Sequence, residues 1–164
     1  FGIAVALLGD PKLIIVDEPT AGLDPEERVR FLNLLSKLGE NSVVILSTHI
    51  VEDVSELCSR MAIISRGQIL LHGDPGAAID DLRGKIWQKS IAKDQIDEYS
   101  DRLTVISTRL QADRRVIHVL ADGQPDESFE SVAPDLKDVY FSTMLSAGRS
   151  IEADEATMAV GAAS

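Results

Sequence analysis

A single cysteine, Cys58, stands in 164 residues. No internal disulfide can form, which suits a reducing compartment. Basic residues are also scarce: 16 Lys and Arg against 27 Asp and Glu leave a net charge of -11. The deficit is spread along the chain, -4 over residues 1–73 and -7 over residues 74–164. Nucleic acid and anionic membranes are gripped by clustered Lys and Arg, so a general binder of either is excluded and no nucleic-acid partner is expected. No apolar run approaches the ~20 residues of a membrane-spanning helix. No leader pattern opens the chain either, so a soluble protein is expected. An initiating methionine is missing too. The chain opens on Phe1 and its first methionine is Met61. Residues 1–8 have the pattern of the later turns of a buried helix, with no cap before them. The chain therefore reads as the downstream part of something longer.

What is present is 45% apolar residues, enough to bury a core, and one stretch around which the rest is arranged. Leu13-Ile14-Ile15-Val16 runs into Asp17-Glu18-Pro19-Thr20. An unbroken apolar run of that length predicts a strand buried on both faces, as in a parallel sheet. Ligands of such sheets sit beyond the carboxyl ends of the strands, where Asp17 and Glu18 emerge. Asp24-Pro25-Glu26-Glu27 predicts a helix start, with Asp24 as cap and Pro25 in the first turn. The helix runs to about Leu38, with Val29, Leu32, Leu35 and Leu38 as its apolar stripe and Gly39 closing it. Residues 42–47 form a second buried strand, and the strand-helix-strand order makes the two strands parallel. Thr48-His49 falls at its carboxyl end. Val51, Val54, Leu57 and Cys58 keep helical spacing, with Cys58 as a packed small hydrophobe.

Residues 60–65 and 68–73 flank Arg66-Gly67, the spacing of a two-residue hairpin. Asp74-Pro75 opens a helix to about Leu82, and Arg83-Gly84 marks a boundary. Beyond it a strand over 85–92, a helix over 93–103 and strands near 104–110 and 115–120 are expected. A last helix over 126–145, broken near Pro134, follows. This βαββα order describes a small α+β domain over residues 84–145. His72 reads as a surface residue, and Trp87, Tyr99 and His118 as core or surface. Residues 146–164 are small and acidic without apolar period, and read as a disordered tail.

Asp17-Glu18-Pro19-Thr20-Ala21-Gly22-Leu23-Asp24-Pro25, followed at a distance by Ser47-Thr48-His49, resembles the ATP-binding subunits of ABC transporters. The likeness covers residues 1 to about 75. It implies an α/β fold: the C-terminal half of a P-loop NTPase domain over residues 1–83, followed by the accessory domain. Residues 13–17 would be the Walker B strand, residues 21–24 the D-loop and His49 the switch histidine. The cofactors implied are ATP and Mg²⁺. Asp17 would hold the metal, through a water, because Mg²⁺ dehydrates reluctantly. Glu18 would orient or deprotonate the attacking water. His49 would reach the γ-phosphate, and Asp24 would look across a dimer of ATP-binding subunits. The other partner implied is a membrane permease, with the chain peripheral on the cytoplasmic face of the cell membrane. Residues 133–141 are similar to the closing segment of the accessory domain in ABC-2-type exporters, where a "PSLEDVF"-like stretch ends the chain. Export is the direction this implies.

No G-x-x-x-x-G-K-[ST] phosphate loop occurs in the sequence, and neither does the Q-loop glutamine or the signature sequence of that family. The expectation is that residues 1–164 alone neither bind ATP tightly nor turn it over. Residues 13–16 and 43–46 would be poorly covered without an upstream half, and the isolated chain is expected to aggregate or be molten. Two other functions fit the same residues: an ABC-family ATPase that moves no solute, and a catalytically dead regulatory or binding protein.

Overall fold

The computed structural model describes residues 11–111 and 114–161, with side chains through residue 148. The helix expected over residues 1–8 lies outside the described residues. The chain divides into two compact units, one ending at Ser59 and the other beginning at Arg60.

The first unit is a strand-helix-strand arrangement. Strands β1 (Leu13–Asp17) and β2 (Val43–Ser47) pair in parallel, in register from Leu13 opposite Val43 to Asp17 opposite Ser47. Helix α1 (Pro25–Gly39) joins them. Asp24 caps it as the sequence predicts, its Oδ1 accepting from Glu27 N at 2.8 Å. The stripe differs in one member. Leu32 and Leu35 are buried and Leu38 half-buried, whereas Val29 is exposed. Helix α2 (Val51–Leu57) follows β2 and packs on α1.

Burial on both faces of β1 is not found. Ile14 is covered, but Leu13 and Ile15 are 51% and 68% exposed, and Val43 and Ile45 on β2 are 62% and 49% exposed. Strand residues alternate between faces, so these four form one apolar face of the two-stranded sheet while α1 lies toward the other. Apolar content alone does not say how many faces find cover.

The second unit opens with the hairpin of β3 (Met61–Ser65) and β4 (Gln68–Gly73). Its turn is the expected Arg66-Gly67, both residues at positive φ, as the tightest hairpin loops require. Helix α3 (Pro75–Asp80) is capped by Asp74, whose Oδ1 accepts from Ala77 N at 2.8 Å. A four-stranded antiparallel sheet then forms from β5 (Ile86–Ile91), β6 (Thr104–Gln111), β7 (Arg114–Leu120) and β8 (Glu130–Ser131), in the order β6-β7-β5-β8. Helix α4 (Ile96–Arg102) connects β5 to β6. The core of this unit is Ile91, Ile117, Val119 and Phe129, with Trp87, Tyr99 and Leu103 packed around it.

Two details depart from the pattern read in the sequence. Residues 126–135 are not helical and contribute β8. The last helix, α5 (Leu136–Gly161), begins just after Pro134 and continues past Leu145 into the stretch expected to be a disordered tail. It packs on β6 and also on α3 and the β3–β4 hairpin. That packing groups the hairpin with the second compact unit, which begins at Arg60.

Candidate active site

At the carboxyl ends of β1 and β2, three of the four singled-out side chains come together. Asp17 is the last residue of β1, exposed, and its Oδ1 accepts a hydrogen bond from Ser47 Oγ on the paired strand. Glu18 carries the ladder one step further, its N–H donating to Ser47 O at 2.8 Å. It then leaves the strand by a left-handed backbone, φ 45°. A Cβ in that region meets carbonyl oxygen, at a cost of about 1–2 kcal/mol, so neighbouring bonds must hold Glu18 there. Because of that twist, the Glu18 side chain does not continue the alternation of the strand.

The Glu18 carboxylate crosses to the other loop. Its Oε1 accepts from His49 N at 2.9 Å. His49 Nδ1 stands 2.7 Å from Oε2, at ion-pair distance. The His49 ring is 76% exposed. Thr48 Oγ1 accepts from Ile50 N at 3.0 Å and shapes the turn into α2.

Asp24 is the fourth residue, and its carboxylate is engaged in capping α1. It joins the others through Arg28, whose backbone N–H donates to Asp24 O at 2.8 Å. Arg28 leads to residues that sequence reasoning missed. Its Nε and Nη2 lie 2.9 and 2.7 Å from Asp53 Oδ1, and Thr20 Oγ1 donates to Asp53 Oδ2 at 2.5 Å. Asp53 is the only buried residue of α2, at 0% exposure, while the apolar Val51, Val54 and Leu57 are half-buried. Apolar spacing could not have found it, because Asp53 is off that stripe. The hydrogen bond to Asp53 raises the Arg28 pKa above its already high value. Burial, and then the charge of Asp53, push the half-buried Cys58 thiol up. A thiol so raised stays protonated and behaves as a packed hydrophobe.

Two carboxylates from adjacent residues and an exposed imidazole thus supply hard oxygen donors and a proton acceptor at one end of the sheet. Mg²⁺ is held by one or two carboxylates together with waters and substrate phosphates, so the exposed Asp17 carboxylate fits that ion. Among the described residues no cluster of three or more His, Cys, Asp or Glu side chains could form an all-protein metal cage. None of the described helices is long and apolar enough to cross a membrane.

Residues 1–52 match the family described as "AAA domain, putative AbiEii toxin, Type IV TA system". Among curated proteins, the chain is similar to Nod factor export ATP-binding protein I. With that of Sinorhizobium fredii it shares 41% identity over 83 residues, 50% of this chain and 24% of the relative. With that of Rhizobium sp. (strain N33) it shares 40% over 85 residues, 48% of this chain and 26% of the relative. The likeness to ATP-binding subunits of ABC transporters is thereby shown over half of the chain. The chain spans about a quarter of the length of the curated relatives it matches.

Proposed function

We propose that the first part of this chain is the C-terminal half of an ABC-type ATP-binding domain, coupling ATP hydrolysis to transport, with export as the direction. Residues 1–83 belong to that half and residues 84–145 to an accessory domain. The observation that carries the reading is the Glu18 carboxylate at the end of a parallel strand pair, facing His49 with both oxygens, Oε1 accepting from its N–H and Oε2 2.7 Å from its ring Nδ1. A carboxylate held at that place is suited to accept the hydrogen of a water. Glu18 aligns that water for in-line attack and draws its proton, work that contributes ~10²–10⁴-fold to a rate. Asp17, steadied by Ser47, holds Mg²⁺ through water, and the bound ion supplies neutralisation of phosphate charge. The exposed His49 ring reaches the γ-phosphate. Its backbone N–H fixes Glu18, so the two groups move together. Asp24 faces the second subunit of a dimer, and a membrane permease is the other partner, on the cytoplasmic face of the cell membrane.

The sequence has no phosphate-cradling loop, so residues 1–164 by themselves turn over no ATP. Mg²⁺-dependent turnover by the purified chain that Glu18→Gln abolishes would overturn that point. The hydrolytic role is tested by grafting residues 11–83 into a Nod factor export ATP-binding protein I in place of its matching segment. The folded hybrid is expected to hydrolyse Mg²⁺-ATP, and Glu18→Gln to lower kcat at least ~100-fold with ATP still bound. A folded, ATP-binding hybrid whose turnover ignores Glu18→Gln would sink the assignment.

A further inference from the structure

Asp53 is fully buried, at 0% exposure, and the chemistry assigned above does not use it. Three donors converge on it: Thr20 Oγ1 on Oδ2, and Arg28 Nε and Nη2 on Oδ1. These residues come from three separate segments. Thr20 is two residues after Glu18, in consecutive turns where Ala21 N donates to Glu18 O at 3.1 Å and Leu23 N to Thr20 O at 3.2 Å. Arg28 is one helical turn after Asp24. Asp53 is four residues after His49, in the first turn of α2, its N–H donating to Ile50 O at 3.1 Å.

Such a network is a poor device for stability alone. Taking the Asp53 carboxylate out of water costs several kcal/mol, the Arg28 guanidinium facing it stays 30% exposed, and well-packed apolar side chains of the same size often serve as well or better. What a fixed fork of donors provides is geometry, because the carboxylate has one position in which all three bonds form. We propose that Asp53 is a positioning residue: with Thr20 and Arg28 it locks the loop carrying Glu18, the cap of α1 at Asp24 and the helix after His49 into one arrangement, and so holds the Glu18–His49 contact in register. The two loops are then tied twice, at Glu18–His49 and at Thr20–Asp53. With the second tie cut, only the His49 N–H bond to Oε1 and the 2.7 Å ring contact with Oε2 hold His49 against Glu18. The catalytic consequence rests on the hydrolytic reading above, while the coupling itself does not.

The test uses histidine-labelled 164-residue chain carrying Ile15→Thr and Ile45→Thr on the exposed sheet face, and reads ring resonances by NMR. The sequence has three histidines, so three ring signals are compared. Glu18→Gln is expected to shift the His49 signal and to leave His72 and His118 in place. In the triple variant Thr20→Val, Arg28→Met, Asp53→Leu, that response to Glu18→Gln is expected to disappear while cooperative unfolding persists. The single variant Thr20→Val, which opens no cavity and leaves no charge unpaired, is expected to weaken it. An undiminished response in both variants would overturn the proposal. So would loss of all folded signals of the first unit in Thr20→Val, since the network would then be holding the unit together rather than aiming two side chains. Failure of the hydrolytic reading shows separately, as a folded hybrid without turnover.

Discussion

Glu18 has an unfavourable backbone at a position where a carboxylate is wanted, and the two facts separate by mutation. Glu18→Gly and Glu18→Ala both remove the carboxylate, yet only glycine takes φ 45° without a Cβ penalty. Glu18→Gly is expected to be the more stable of the two by about 1 kcal/mol, read from urea midpoints of the same chain; equal midpoints would mean that the left-handed turn relaxes. The strand and its acidic end were legible in residues 13–18, because a short apolar run stopped by Asp-Glu-Pro has few other readings. The left-handed turn at Glu18 was not, since no glycine or asparagine advertises it. Asp53 was hidden for a related reason: its burial depends on Thr20 and Arg28, which are distant in sequence and have no period in common with it.

The element that best shows chemistry fixing structure is the start of α5. Asp135 and Asp138 cap each other, Asp135 N donating to Asp138 Oδ2 and Asp138 N to Asp135 Oδ1, both at 3.0 Å. This is the reciprocal arrangement of a capping box, and it explains why the helix begins at Leu136. His118 on β7 adds a contact of 2.9 Å from Nδ1 to Asp138 Oδ1, with both side chains buried. Burial pushes the Asp138 carboxyl up, but the hydrogen bonds from His118 and the Asp135 backbone, with the nearby charges of His118 and Arg109, outweigh it and hold the carboxyl below its ordinary range. The folded state therefore favours the ionised form. The stabilisation is present at any pH above the unfolded value near ~3.9, and is lost as pH falls through the lower folded value. The second unit is expected to lose stability between about pH 4 and the acid limit. Asp138→Asn is expected to flatten that limb and to lower neutral-pH stability by about 1–3 kcal/mol. Denaturant midpoints at several pH values check both, and an unchanged acid limb in the variant would remove Asp138 as its source.

For the molecule as a whole, the decisive feature is the row Leu13, Ile15, Val43 and Ile45 on one exposed face of β1 and β2. An apolar sheet face open to water is a site of association. Residues 1–164 are expected to self-associate at micromolar concentration in light scattering. Ile15→Thr with Ile45→Thr is expected to reduce this without changing helical content by circular dichroism; unchanged scattering would mean that another surface drives it. Composition anticipated that a core could form, and the local signals placed the caps of α1 and α3 and the Arg66-Gly67 turn within a residue. It did not anticipate the packing of α5 on the β3–β4 hairpin, which leaves no local trace.

The sequence by itself determined what depends on neighbours a few residues apart: the parallel strand pair, the capped helix between them, and the emergence of Asp17, Glu18 and His49 at one end. Those follow from periodicity, proline, glycine and capping side chains, whose effects are local. Only the tertiary structure decided that the Glu18 carboxylate meets His49, that Asp24 is linked to the others through Arg28, and that Asp53 joins the loops. Each depends on groups 25 to 33 residues apart meeting at hydrogen-bond distance. Such contacts are set by packing, which has no sequence period.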